Sequence, residues 1–340
     1  MLKKTFYGLF SFIILLSAGA AGTWLWWKSA IAPVSPHSAE PMTITIPSGT
    51  AAQMIGQKLE AKGLIRSELA WKIWLYGLKL QKKTPQLKAG TYQLSKQSSL
   101  PEIGNKIRQG ETIQTRFTIP EGWTQREMAD YFQELGYFSR PDFLAATRKI
   151  DRTQFSWLPD NLPHLEGFLY PDTYQIPRDR ATPEFIIELM LNQFAKVALP
   201  LYETQNSPYT LQEWVTLASL VEKEAVVAEE RSRIAAVFAK RLEKGMRLAA
   251  DPTVEYGLNI EQTEQTPLTL KQVNTPSPYN TYLNTGLPPT PIASPGKPAL
   301  EASLNPPETE YLFFVARYDG THVFSKTFAE HQAAQQRIQN

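Results

Sequence analysis

The chain has 340 residues, too many for one small module and suited to two or three compact units. Hydrophobic residues at 42% and charged residues at 20% exclude a mostly disordered chain, and a net charge of +2 gives no chain-wide basic field for nucleic acid. The absence of cysteine removes disulfides, thiolate metal sites and a Cys nucleophile, while His37, His164, His322 and His331 lack metal-ligand spacing.

In chain order, Lys3 and Lys4 precede a charge-free apolar run over 6–27. That is about the ~20 residues needed to cross a hydrocarbon core. Trp24, Trp26, Trp27 and Lys28 resemble the aromatic and basic belt of an interface. A cleaved signal peptide is the competing reading, because Ser17 to Gly22 are small. The apolar run continues through the Trp cluster, which favours an uncleaved anchor. Its basic start keeps 1–5 as a cytoplasmic tail and places the rest of the chain outside. The Pro/Ser/Ala-rich end of 28–41 reads as a tether.

The next segment, 42–110, reads as strand, helix, helix, strand. Met42 to Pro47 alternates like a strand, and Ser48-Gly49-Thr50 turns into a helix that Gly63 ends. A second helix is expected from Ser67 to Leu80, with Leu69, Ile73, Trp74 and Leu80 as its apolar side. Leu87 to Leu94 returns as a strand. Lys58, Lys62, Arg66, Lys72, Lys79, Lys82, Lys83 and Lys88 outnumber Glu60 and Glu68 here. This is either a solvated face or a patch that attracts an anionic membrane surface or acidic wall polymer. Ile46-Pro47-x-Gly49 and Gly63 then recur as Ile119-Pro120-x-Gly122 and Gly136, each offset by 73. A second strand–turn–helix unit is therefore expected from about Gln114.

From about Trp157 the texture changes. The run Leu165 to Tyr174 is aromatic and turn-rich and carries Glu166 and Asp172. Helices are expected over about 182–197, 210–226 and 228–244. Asp251-Pro252 then opens a long irregular region through Pro291, rich in Pro, Tyr and Asn and suited to a sugar-binding groove. A hairpin near Tyr311–Phe324 and a short helix close the chain.

The sequence lacks a nucleophile elbow, a P-loop and a dinucleotide fingerprint, so carboxylates carry the chemical options. Glu222 and Glu224 end a helix that is apolar almost all round. Two residues apart on a helix project about 200° apart, so both cannot enter one cleft. Glu224 follows the bulky row Leu217, Leu220 and Val221, whereas Glu222 follows Val215, Ala218 and Ser219. Greater desolvation favours Glu224 as a general acid. Glu222 in that role, and a purely structural pair, remain the alternatives.

The motifs VEKEAVVAEERSRIAAVFAKRLEKGMRLAADPTVEYG, NTPSPYNTYLNTGLPPTPIASPG, LEGFLYPDTY and IPEGWT occur in this chain. Their order resembles that of the endolytic murein transglycosylase, or YceG-like, family from anchor to C-terminus. The stretch from Gly257 to Lys271 departs from the family pattern. The resemblance implies an α+β protein with an N-terminal transmembrane helix (6–27), a LysM-like βααβ subdomain (42–110) and a mixed α+β catalytic domain (111–340). It implies a single-pass inner-membrane protein with a periplasmic catalytic domain. The second Glu of the family's E-[KR]-E motif falls on Glu224. The implied reaction is lytic cleavage of the MurNAc–GlcNAc β-1,4 bond, leaving 1,6-anhydro ends. Glu166, Asp172, Asp251, Tyr279, Asn280 and Tyr282 are the expected substrate-binding residues. No metal or cofactor is expected. The expected partners are glycan strands and the inner membrane, with peptidoglycan synthases as candidate protein partners and no nucleic acid. The rival classes are a wall-binding scaffold without activity and a hydrolase leaving reducing ends, which would need a second carboxylate.

Overall fold

A computed structural model describes every residue except Met1, 38–39, 82–85, Asn206, Glu264, Tyr318 and Asn340, and leaves out the side chains of 2–13 and Gln339. Lys82 and Lys83 of the basic set therefore lie outside the described residues. The protein is of the mixed α+β type and divides into two units, Met1–Arg116 with Gln175–Arg180, and Phe117–Tyr174 with Ala181–Asn340.

The first unit opens with helix α1 (Leu2–Ile31), unbroken because no proline interrupts it before Pro33. Ile14, Leu15, Leu16, Trp24, Leu25 and Trp26 are exposed on it. Its last turn is different: Ala30 is buried, and Trp27 and Ile31 pack into the core of this unit. Strand β1 (Pro41–Ile46) is followed by α2 (Ala52–Ala61), α3 (Glu68–Leu80) and β2 (Gly90–Ser95). The strands pair antiparallel from Pro41 opposite Ser95 to Ile46 opposite Gly90. Alternation along them sends Ile44, Ile46, Tyr92 and Leu94 into the core.

Gly56 lets Trp71 of α3 lie directly on α2, where a Cβ would collide with the indole. The indole N–H donates to Ala52 O at 2.8 Å. Helix α3 starts at Ser67, whose side chain accepts from Ala70 N at 3.2 Å. The face it buries is Ala70, Trp71, Leu75 and Leu78 with partly buried Trp74, while Leu69, Ile73 and Leu80 point outward. This corrects the face expected from the sequence. The helix is apolar on both sides, so periodicity alone marks two stripes and cannot say which is covered. Helix α4 (Leu100–Gln109) has a Ser99–Glu102 capping box and stops at Gly110.

Strand β3 (Gln114–Thr118) pairs with a later strand, and the division between the units falls within both. Helices α5 (Gln125–Glu134) and α6 (Arg140–Ala146) follow. The sequence repeat is visible locally. Helices α2 and α5 share the 73-residue offset at both ends, and Gly49, Gly63, Gly122 and Gly136 all take positive φ of 64–79°. The same turn and stop signals have produced the same local structure twice.

Strand β4 (Thr173–Pro177) precedes α7 (Pro183–Val197) and α8 (Leu199–Glu203). Among the residues whose side chains are described, which leaves out the first part of α1, Pro183–Glu203 is the one stretch long and apolar enough to cross a membrane by length and composition. Its Ile186, Ile187, Met190, Leu191 and Phe194 are buried within the second unit, as in a core helix. Helix α9 (Leu211–Glu224) is the centre of that unit. Every residue from Trp214 to Val221 is at most 1% exposed. Helices α10 (Arg231–Glu243) and α13 (Lys297–Leu304) pack on it. Between them come α11 (Asp251–Leu258) and the single turn α12 (Leu270–Val273). Strands β5 (Phe313–Ala316) and β6 (His322–Ser325) form the expected antiparallel hairpin, its first strand only half-buried, and α14 (Phe328–Gln339) closes the chain.

Candidate active site

The buried helix α9 stops at Glu224. A Thr210–Glu213 capping box secures its first turn, and Ala225 turns extended (φ −86°, ψ 101°) to end it. The last side chain of the helix is thus carried by a rigid, dry element and released at its edge. Glu224 is half-buried, and no protein group among the described residues donates a hydrogen bond to it. Burial pushes its carboxyl from 4.5 up to about 8. The charges of Asp251 and Glu255 push in the same direction, and Arg241 pulls back. The C-terminal end of α9, with its partial negative charge, opposes ionisation as well. A carboxyl in that state is a proton donor at neutral pH.

Glu222 differs in its partner. Its Oε2 accepts the Gly296 N–H at 2.9 Å, which favours the ionised form against the upward push of burial. Burial raises both carboxyls; Glu222 has the Gly296 N–H against that push, whereas Glu224 has the acids of α11 adding to it.

The surrounding residues come from α11 and the loop after α12. Asp251 accepts a short hydrogen bond of 2.5 Å from the Tyr282 hydroxyl and a longer one of 3.5 Å from Gln262. Glu255 accepts the Gln262 N–H at 2.7 Å, and burial raises its pKa. Two buried threonines fix these segments together: Thr253 and Thr281 share a 2.9 Å hydroxyl contact, and Thr281 Oγ1 accepts from Ala250 N at 3.0 Å. Arg241 of α10 is 8% exposed and donates to Leu312 O and Leu248 O at 2.6 and 2.5 Å. Those carbonyls hold its guanidinium in place while its charge acts on Glu224 and Tyr282. A concave surface alongside is lined by Arg126, Lys223, Glu255, Tyr256, Asn259 and Glu261.

The structure thus gathers Glu224, Asp251 and Tyr282 of the residues expected from sequence. The others have protein partners. Glu166 is 2% exposed, with Oε1 accepting Gln125 N and Oε2 accepting the Tyr256 hydroxyl, each at 2.9 Å; burial lifts it to about 7. Asn280 is fully buried, its amide donating to Val273 O and Thr275 O. Tyr279 shares a 2.9 Å contact with Thr290 and packs edge-on against Tyr256 at 4.8 Å. Asp172 is exposed and accepts from Gln193 at 2.6 Å and from Thr173 N. Sequence reasoning passed over Arg241 and Glu255. Glu255 had a usable signal: once Asp251–Leu258 is helical, positions 251 and 255 share a face. Among the described residues no three His, Asp or Glu gather as a metal site would require.

Residues 44–337 match the YceG-like family. The chain is 33% identical over 333 residues to the protein named endolytic murein transglycosylase in Bacillus subtilis (strain 168), covering 93% of this chain and 90% of that one. It is 34% identical to the protein of the same name in Streptococcus pneumoniae serotype 2 (strain D39), covering 90% of this chain and 59% of that one. The crystal structure of a YceG-like protein from Listeria monocytogenes superposes with a TM-score of 0.57 at 33% identity, over 87% of this chain and 99% of that chain. This chain belongs to the YceG-like family, as its motifs implied.

Proposed function

We propose that this protein is a membrane-anchored peptidoglycan lytic transglycosylase that cuts within nascent glycan strands and so ends their elongation. The observation that carries the reading is Glu224: a carboxyl without a hydrogen-bond partner among the described residues, at the exit of a buried helix, its proton favoured by burial and neighbouring acids. Protonated Glu224 gives its proton to the glycosidic oxygen between MurNAc and GlcNAc as the C1–O bond breaks. The resulting carboxylate takes the proton of the muramoyl 6-hydroxyl as that oxygen attacks C1. One carboxyl serves as acid and then as base, no water is consumed, and a 1,6-anhydro end forms. Arg241 supplies the positive charge that steadies the carboxylate between the two transfers. Tyr282 and Asp251 form the neighbouring wall and meet sugar hydroxyls. Helix α1 is the single-pass anchor, and the βααβ part of the first unit is a LysM-like module beside the membrane. The catalytic unit works on the outer side of the inner membrane.

Mass spectrometry of products from uncrosslinked glycan strands tests this. Wild type should yield 1,6-anhydro-muramoyl ends, and Glu224→Gln should yield none above background. Products with new reducing ends would overturn the lytic mechanism in favour of hydrolysis with a second carboxylate, Asp251 being the first to substitute.

A further inference from the structure

Helix α3 covers its core face and leaves a second apolar stripe open. Leu69 is 56% exposed, Ile73 41%, Tyr76 62% and Leu80 68%. The spacing is i, i+4, i+7, i+11, so the four side chains fall within about 60° of one another around the axis. A contiguous row of this kind marks a contact site, unlike scattered single apolar residues. Lys72 and Lys79, both exposed, lie along one edge of the row, about 70–90° from its centre. Lys72 also pairs with Glu68 at 2.9 Å.

The position of the row on the unit decides what covers it. Helix α1 packs against α3 directly, and its last turn shares the core that buries Trp71 and Leu75. The body that carries the stripe is therefore fastened rigidly to the point where α1 leaves its exposed apolar run at Trp24, Leu25 and Trp26. A surface held at a bilayer by its own anchor meets lipid without the loss of freedom that a separate partner would bring. An apolar row with lysines on its flank matches the headgroup–acyl boundary, which takes apolar side chains inward and cations at the phosphates.

We infer that the Leu69–Ile73–Tyr76–Leu80 face of α3 lies in the interfacial layer of the same bilayer that α1 crosses, as a second, in-plane membrane contact. This rests on the reading of α1 as the anchor. The contact fixes the first unit against the membrane surface instead of leaving it to swing on a tether.

The lack of cysteine makes the test direct, because one introduced thiol is the only one in the chain. Ile73→Cys, Tyr76→Cys and Leu80→Cys, made separately in the full chain, take an environment-sensitive fluorophore. Leu15→Cys reports the anchor, and Gln109→Cys on α4 is the solvent-facing reference. Each protein is reconstituted into phosphatidylcholine–phosphatidylglycerol vesicles carrying lipids spin-labelled at the headgroup or at the bilayer centre. The three α3 labels should show blue-shifted emission and lose intensity to the headgroup-side quencher, consistent with insertion by about 5–10 Å. Leu15→Cys should respond to the bilayer-centre quencher. Adding Ile73→Asp to Tyr76→Cys should release its label from quenching. If Leu15→Cys is quenched while the α3 labels behave like Gln109→Cys, the anchor stands and the inference is wrong. If Leu15→Cys is not quenched, the anchor reading itself fails. Blue-shifted α3 labels that ignore lipid quenchers and follow protein density would assign the face to a second copy of the chain.

Discussion

Glu224→Gln should kill the enzyme and stabilise the fold, and the second effect tests the reasoning more sharply. The folded protein holds this carboxyl near 8 where an unconstrained one sits near 4.5. Below pH 4.5 both states are protonated and the site costs nothing. As pH rises the unfolded chain ionises first, so the folded state falls behind by up to about 5 kcal/mol above pH 8, at roughly 1.36 kcal/mol per pH unit. About 3 kcal/mol of that has accrued at pH 7 by the same relation. Gln keeps the shape and helix propensity of Glu and carries no charge to desolvate. For a unit of this size about 3 kcal/mol corresponds to a gain in Tm of about 6–12 °C at pH 7. The gain should grow by pH 8.5 and vanish near pH 4. Thermal unfolding of both proteins across that range is the assay, with glycan cleavage in parallel expected to drop by at least ~10²–10⁴-fold. A Tm difference that does not change with pH would refute the claim that Glu224 is held neutral by its surroundings.

Asp251→Asn removes a charge that raises the Glu224 pKa, so the alkaline limb of the kcat/KM–pH profile should move to lower pH; an unmoved limb would remove Asp251 from the electrostatics of the acid. Arg241→Met should move that limb the opposite way and lower kcat, because the carboxylate loses its cation. It should also destabilise the fold by about 1–3 kcal/mol for the buried Leu248 carbonyl left without a donor, and by less for the partly buried one of Leu312, read by urea unfolding. Glu222→Gln keeps an oxygen to accept the Gly296 N–H, and should lose far less activity than Glu224→Gln. Gly167→Ala should destabilise the second unit by about 2–4 kcal/mol, since φ is +81° and a Cβ would run into Pro291 and lie 3.0 Å from Val215 Cγ1.

Much of this was legible in the sequence, in proportion to how local the determining physics is. Turn glycines, capping residues and the 73-residue offset act over a few residues, and α2 and α5 carry the same signals at the same spacing. Glu224 stood out because a nearly all-apolar helix must be buried, and a charge at its end is then an anomaly. What the sequence withheld were the choices made by packing. Asp251-Pro252 reads as the opening of a long irregular region, yet proline fits the first turn of a helix, where its missing N–H is no loss, and α11 begins there. That one difference places Glu255 beside Asp251. Helix α3 has two apolar faces, and only the presence of β1, β2 and α2 on one side determines which is covered. Arg241 looks like any cation in a helix until the carbonyls of Leu248 and Leu312 converge on it from two later segments.

The placement of the acid follows from two demands that ordinarily conflict. A general acid at neutral pH has to be dry enough to keep its proton, and it has to reach a bulky polymer that arrives from water. A side chain in the middle of α9 would meet the first demand alone, since Trp214 to Val221 are sealed on all sides. A carboxyl on a fully exposed loop could meet the second demand but not the first, because water there favours the ionised form. The last residue of a buried helix satisfies both. Its backbone is fixed by the core, its carboxyl sits half-buried at the edge, and the helix end itself disfavours a negative charge there. Burial, with the acids of α11 adding to it, raises this carboxyl to about 8, which is the range that the proposed role of Glu224 as acid and then base requires.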